Sequence, residues 1–208
     1  MHVEVGGLSI AYERAGSGPP VALTHGFVGD ARSTWGPQIE ALAERFTVIA
    51  WDAPGAGGST DPPEDFGMDA YAACLSEFLR ALQVEHAHLV GLSFGGALVL
   101  ATFNRHPDLA SSLTLVSGYA GWLGSLGTEE ADQRLARSLQ ASRLTPDEFV
   151  AALAPSMVSP SARMRGARSA MSASDTRQPV CPCWRSRAPR RSSPPWSGNR
   201  EPGTGNRV

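Results

Sequence analysis

Residues 88–103, HLVGLSFGGALVLATF, decide how the rest of the chain is read. An apolar run, HLVGL, meets a turn of small residues at Ser93, and FGGALVLATFNRH then continues at helical spacing. At the junction, Gly91-Leu92-Ser93-Phe94-Gly95 has the form G-x-S-x-G, a strand-to-helix turn that exposes a nucleophilic serine. The chemistry explains the spacing. A serine on so sharp a turn needs a glycine on either side, because larger side chains would collide with the neighbouring strand and helix. The same turn sets the backbone N–H of Phe94 at a helix N-terminus, aimed where a tetrahedral oxyanion forms. A serine hydroxyl is a poor nucleophile at neutral pH until a base takes its proton and a third group orients that base. Ser93 therefore requires a histidine and a carboxylate from elsewhere.

Strand and helix patterns alternate on both sides of this unit. Residues 2–5 and 8–14 predict two short strands joined at Gly6-Gly7, a hairpin signal. Residues 21–24 predict a buried strand ending in His25-Gly26-Phe27. Residues 35–46, WGPQIEALAERF, set Trp35, Ile39, Leu42 and Phe46 on one helical face. FTVIAWD predicts another buried strand, followed by the turn-rich APGAGGSTDPP. Asp69 is placed to cap a helix over residues 70–84, and residues 112–118, SLTLVSG, predict a further strand. Strands alternating with helices predict a mainly parallel sheet covered on both faces. After Gly121 the pattern becomes three helices with no strand between them, in TEEADQRLARSLQAS, TPDEFVAALAPS and SPSARMRGARSAM. Helices inserted there suggest a lid over the strand ends. Thr145-Pro146-Asp147-Glu148 has the features of a helix start, with proline in the first turn and acids near the positive end. The chain divides accordingly into a core over residues 1–121, a helical cap over 122–173 and a tail over 174–208.

Composition narrows the function. The 208 residues carry a net charge of −2, which gives no whole-chain case for a nucleic-acid or membrane partner. Cys74 stands alone, and Cys181-Pro182-Cys183 lacks the spacing and partner ligands of a zinc site, so neither a disulfide framework nor a metal is expected. The N-terminus lacks a basic segment followed by an apolar one, so no signal peptide is expected. The most apolar stretch, residues 89–103, is broken by glycines and serine and falls short of the roughly 18 residues of a membrane span. The expectation is a cytoplasmic protein that uses no cofactor and takes a small molecule; the oligomeric state is left open.

The charge is unevenly spread. All 18 basic residues are arginine. Residues 1–175 hold 11 of them against 19 acids, and residues 176–208 hold 7 against 1. That last segment has no Leu, Ile, Met, Phe or Tyr and cannot bury enough apolar surface to offset backbone ordering, about 1–2 kcal/mol per residue. It is expected to be disordered. A chain without lysine points to G/C-rich coding DNA, and such DNA read out of frame yields much Arg, Pro, Ser, Gly, Cys and Trp. A frame change between about Ala173 and Val180 is the favoured expectation, beside a natural disordered tail or a divergent terminus. Rereading the coding DNA in the other two frames should then show, in one of them, a strand, an aspartate, a further strand and a histidine in that order; if neither frame stays open, or neither offers an acid followed by a histidine, the idea fails. Binding of nucleic acid through the tail arginines, Trp184 and Trp196 is a weaker reading.

Residues 1–172 resemble the α/β-hydrolase family, serine esterases and relatives such as lactonases and C–C bond hydrolases. The resemblance rests on the elbow at Ser93, on His25-Gly26-Phe27, similar to the family's "HG" loop, and on Asp52-Ala53-Pro54-Gly55-Ala56-Gly57-Gly58-Ser59, similar to its D-x-P-G-x-G-x-S turn. It implies Ser93 as nucleophile, Phe27 and Phe94 N–H groups as the oxyanion hole, and His25, Gly26, Gly91 and Gly95 as supporting residues. It implies hydrolysis of a small ester, lactone or related acyl bond. The family orders its triad Ser, then acid, then His. Here the only histidine after Ser93 is His106, 13 residues along the same helix and about 20 Å away at 1.5 Å per residue. His86 and His88 precede the strand, with His88 roughly 16 Å off at about 3.3 Å per residue. Only His25 lies on the correct rim, where shaping the oxyanion loop is its ordinary task. No catalytic histidine and no catalytic acid is identified; Asp52 reads as a structural carboxylate in its glycine turn. Loss of the closing strands would leave SLTLVSG as an apolar edge. The expected activity is therefore that of a hydrolase lacking base and acid, with a non-catalytic ligand-binding pseudohydrolase as the alternative.

Overall fold

The chain runs β1 (His2–Val5), β2 (Leu8–Ala15), β3 (Pro20–Thr24), α1 (Ala31–Leu42), β4 (Thr47–Trp51), α2 (Met68–Ala81), β5 (Ala87–Leu92), α3 (Phe94–Arg105), a 3₁₀ turn (Pro107–Leu109), β6 (Ala110–Val116) and α4 (Thr128–Ala141). This is a computed structural model, and it describes residues 1–119, 125–141, 143–145, 147–149 and 151–152. Six strands make one sheet in the order β1-β2-β4-β3-β5-β6. The β1–β2 and β2–β4 pairs are antiparallel, and the β4–β3, β3–β5 and β5–β6 pairs are parallel. Gly6 and Gly7, at φ 56° and 83°, supply the two left-handed residues that a two-residue hairpin with strand-matched twist requires.

Each face of the sheet is covered by its own helices. On one side α1 lays Trp35 and Ile39 over Val21, Leu23, Val48 and Ala50. On the other, α2 and α3 bury Tyr71, Leu75, Phe78, Leu79, Leu98 and Val99 against Ile10, Ile49, Trp51 and Leu89. Large side chains so enclosed contribute about 1.5–3 kcal/mol each through apolar burial. Two helix boundaries differ from the sequence expectation. Helix α1 starts at Ala31 and ends at Leu42 instead of covering residues 35–46. Its start is fixed by a capping box: the Asp30 carboxylate accepts from Ser33 N–H at 2.6 Å, and Ser33 Oγ accepts from Asp30 N–H at 3.1 Å. Phe46 lies beyond the helix yet packs on the same cluster. Helix α2 is capped by Gly67, and Asp69 falls in its first turn, where its exposed carboxylate meets Arg105 at 2.7 Å.

Among the described residues β6 pairs with β5 alone and forms the sheet edge, with Leu115 and Val116 41% and 40% exposed. The strand expected from SLTLVSG is present and begins two residues earlier, at Ala110. Of the expected cap helices, α4 covers the first, and Glu130 pairs with Arg134 one turn on at 3.1 Å. The second begins as read at Thr145: Thr145 N–H donates to Glu148 Oε2 at 2.9 Å, and Glu148 N–H donates to Thr145 Oγ1 at 3.4 Å. The third, and the tail over 174–208, lie outside the described residues. No helix among the described residues is long and apolar enough to cross a membrane.

Candidate active site

The strand order places the site before any side chain is considered. From β3 the chain crosses to β4 on one side, then returns past β3 to β5 on the other. The connections leaving the carboxyl ends of β3 and β5 therefore run to opposite faces of the sheet, which makes this the switch point where open α/β sheets carry their ligand crevice. His25 follows β3 and Ser93 follows β5 directly, so both stand at that crevice.

Ser93 sits at φ 52°, ψ −109°, outside the helical and extended regions open to side-chain-bearing residues. Such a conformation costs about 1–3 kcal/mol and persists only where its surroundings fix it. Here Ser93 N–H donates to Val116 O at 2.9 Å, and Ala97 N–H donates to Ser93 O at 3.2 Å. The flanking glycines let backbone meet backbone. A Cβ on Gly91 would fall on the Gly95 carbonyl, and one on Gly95 would stand 2.6 Å from His25 O and 2.7 Å from Thr24 Oγ1. The G-x-S-x-G spacing is thus the packing of β5, β3 and the first turn of α3 written in sequence.

Phe94 opens α3, and the N–H of a first helical residue has no intrahelical acceptor. Its ring is buried edge-on against Tyr71, centroids 5.6 Å apart, and Tyr71 meets Phe66 in the same way at 4.8 Å. The Tyr71 hydroxyl donates to Pro54 O at 3.1 Å. This aromatic floor escaped the sequence reading, because Tyr71 and Phe66 precede Ser93 by more than twenty residues and carry no motif. The loop after β3 passes the elbow closely: a Cβ on Gly26 would lie 3.6 Å from Leu92 O. Phe27 follows, half-buried against the larger core cluster.

His25 is 3% exposed and both ring nitrogens are engaged. Ala53 N–H donates to Nε2 at 2.9 Å, so the proton resides on Nδ1 and is donated to Gly26 O at 2.7 Å. Burial holds its pKa below the ordinary histidine value, against opposing pulls from the Gly26 carbonyl and the Asp52 and Asp30 carboxylates. With no free lone pair, this imidazole does not fit the part of a substitute base. Asp52 is equally occupied: Oδ1 accepts from Ala31 N–H at 2.8 Å, and Oδ2 accepts from Gly58 N–H at 2.9 Å. Its backbone carbonyl accepts from Ser59 Oγ at 2.7 Å. The glycine turn wraps this carboxylate.

Three of the other four histidines have partners away from Ser93, and His2 lies on β1 at the far edge of the sheet. His86 Nδ1 is 2.6 Å from Asp108 O, and His88 Nδ1 is 2.8 Å from Ser112 Oγ, both around the start of β5. His106, at the far end of α3, has Nδ1 3.3 Å from Arg80 Nη2. Cys74 is no substitute nucleophile, since burial, with Glu77 nearby, pushes its thiol up to about 12.

Sheet order, helix placement and a strained serine at the switch point define an α/β protein of hydrolase type. The sequence pattern of the alpha/beta hydrolase fold matches residues 19–206, and the chain belongs to that family. It is 41% identical over 113 residues to an uncharacterized protein of Mycobacterium tuberculosis, covering 54% of this chain and 33% of that one. It is 29% identical over 143 residues to the mouse (Mus musculus) serine hydrolase BPHL, covering 66% of this chain and 47% of the relative. A solved thermophilic esterase from Thermogutta terrifontis superposes with a TM-score of 0.76 at 25% identity, covering 88% of this chain and 70% of that one. The chain thus spans about a third of the length of the mycobacterial relative and about half that of the mouse one.

Proposed function

We propose that this site is built for acyl transfer to Ser93, on a small ester, lactone or related acyl bond. The observation that carries the reading is the conformation of Ser93 at the strand–helix junction, beside the Phe94 N–H. In the reaction, Ser93 Oγ forms a bond to the acyl carbon while its proton passes to a base. The carbonyl oxygen takes negative charge facing the Phe27 and Phe94 N–H groups. The leaving oxygen departs with a proton, and water then releases the acid from the serine. The names of the mouse serine hydrolase and the bacterial esterase support this class.

The saturated hydrogen bonding of His25 and Asp52 favours a second part of the proposal. Neither side chain is free to take the Ser93 proton, and the site formed by the described residues binds its ligand with little turnover. Preorganised N–H groups and binding alone leave a residual acceleration of order 10³–10⁴ over water. A fluorophosphonate is therefore expected to label Ser93 slowly, read as added mass on the intact protein and lost in Ser93→Ala. Rapid stoichiometric labelling would establish that a base is present and remove the pseudohydrolase reading. No labelling even at long times, with nitrophenyl esters neither bound nor cleaved, would remove the acyl-transfer reading itself.

A further inference from the structure

The elbow is held by one buried side-chain hydroxyl that the motif does not include. Thr24 ends β3 and is 1% exposed. Its Oγ1 lies 3.1 Å from Val90 O and 3.1 Å from Gly95 O. Val90 stands three residues before Ser93 and Gly95 two residues after it, so the hydroxyl bridges the turn from strand to helix.

We infer that Thr24 is a positioning residue of the nucleophile elbow, its hydroxyl proton tying the end of β5 to the first turn of α3. The geometry fits a shared proton. A hydroxyl has one hydrogen, and an unshared O–H···O bond is typically about 2.7–2.8 Å long, whereas both distances here are longer and equal. The need for the bridge follows from the glycines. Gly91 and Gly95 let backbone meet backbone: a Cβ on Gly91 would fall on the Gly95 carbonyl, and one on Gly95 would meet the carbonyls of Thr24 and His25. Thr24 Oγ1 reaches into this contact and bonds one carbonyl on each side of it. The amides around the turn are themselves tied in: Ser93 N–H donates to Val116 O, and Ala97 N–H donates to Ser93 O. Through this bridge Thr24 fixes the first turn of α3, and with it the direction of the Phe94 N–H. The consequence for reactivity rests on the acyl-transfer reading; the consequence for the backbone does not.

The full 208-residue chain tests both halves with Thr24→Val, which keeps shape and removes the hydroxyl, and Thr24→Ser, which keeps the hydroxyl. Amide hydrogen exchange at Ser93 and Ala97 should quicken at least about tenfold in Thr24→Val and within about threefold of wild type in Thr24→Ser, while β2–β4 amides stay close to wild type in both. Fluorophosphonate labelling of Ser93 should slow in Thr24→Val and recover in Thr24→Ser. Unchanged exchange at Ser93 and Ala97, or an equal rise across all strands, would overturn the inference, as would labelling in Thr24→Val at the wild-type rate. If wild type does not label but the exchange pattern holds, the positioning role stands and the acyl-transfer reading falls. Should Thr24→Val not fold, Thr24→Cys, a weaker donor at the same place, is read by the same criteria.

Discussion

Gly95→Ala is expected to lower the melting temperature by roughly 10 °C or to prevent folding, while Gly36→Ala, the same chemical change, is expected to move it by no more than a few degrees. The contrast is one of surroundings. At Gly95 the added methyl meets the carbonyl oxygens of Thr24 and His25, atoms of β3 that move only if the central strand moves. Overpacking against backbone costs about 1–3 kcal/mol when the surroundings yield, and more when they do not. At Gly36 the methyl meets only the Arg32 side chain, at 3.8 Å and beyond. There alanine lowers the entropy of the unfolded chain, a gain of about 0.5–1 kcal/mol. Set against it is the restriction that the following Pro37 places on a side-chain-bearing residue in helical conformation. Thermal melts of the two variants beside wild type give the answer. A Gly95→Ala protein melting within about 2 °C of wild type would mean that the elbow is loosely packed, and the reason given for the G-x-S-x-G spacing would be lost.

That spacing is also why the fold could be read early. A glycine required by backbone contact leaves a mark in sequence, and so does a two-glycine hairpin or an apolar strand feeding a helix. The strands and α-helices between His2 and Val116 were legible for this reason, as were the helix over Thr128–Ala141 and the helix start at Thr145. Boundaries set by side-chain caps were less so. The start of α1 rests on Asp30 reaching Ser33, which an apolar-face reading passes over because neither residue is buried in the stripe. The pairing of His25 with Ala53 N–H joins residues 28 apart and has no local signature. Thr24 and Tyr71 are invisible for the same reason. Their partners are backbone carbonyls, which every residue type provides, so nothing at the partner positions betrays the contact. The cap beyond residue 152 and the arginine-rich tail lie outside the described residues.

His25 gives the last expectation: stability should fall with acid below pH 6.5, and His25→Asn should be weaker at pH 8 but less sensitive to pH. In the folded protein burial disfavours the charged ring, so the folded pKa lies below the unfolded value of 6.5. Between these two values the unfolded chain binds the extra proton and the folded chain does not. Stability therefore rises with pH through this window, is fully present above 6.5, and is lost progressively as pH falls toward the folded pKa. The limiting slope is about 1.4 kcal/mol per pH unit for one group. Its structural origin is the Ala53 N–H, which needs the lone pair on Nε2 and would face a second proton if the ring were charged. The Asp52 and Asp30 carboxylates act in the opposite sense but do not outweigh burial. Asparagine at this position has no titrating group and leaves at least one buried backbone partner poorly met, at about 1–3 kcal/mol. Urea titrations at half-unit steps from pH 8 to pH 5, above the main carboxylate range, isolate the effect. Equal slopes for wild type and His25→Asn would show that some other group governs acid sensitivity, and that the β3–β4 loop contact does not depend on a neutral ring.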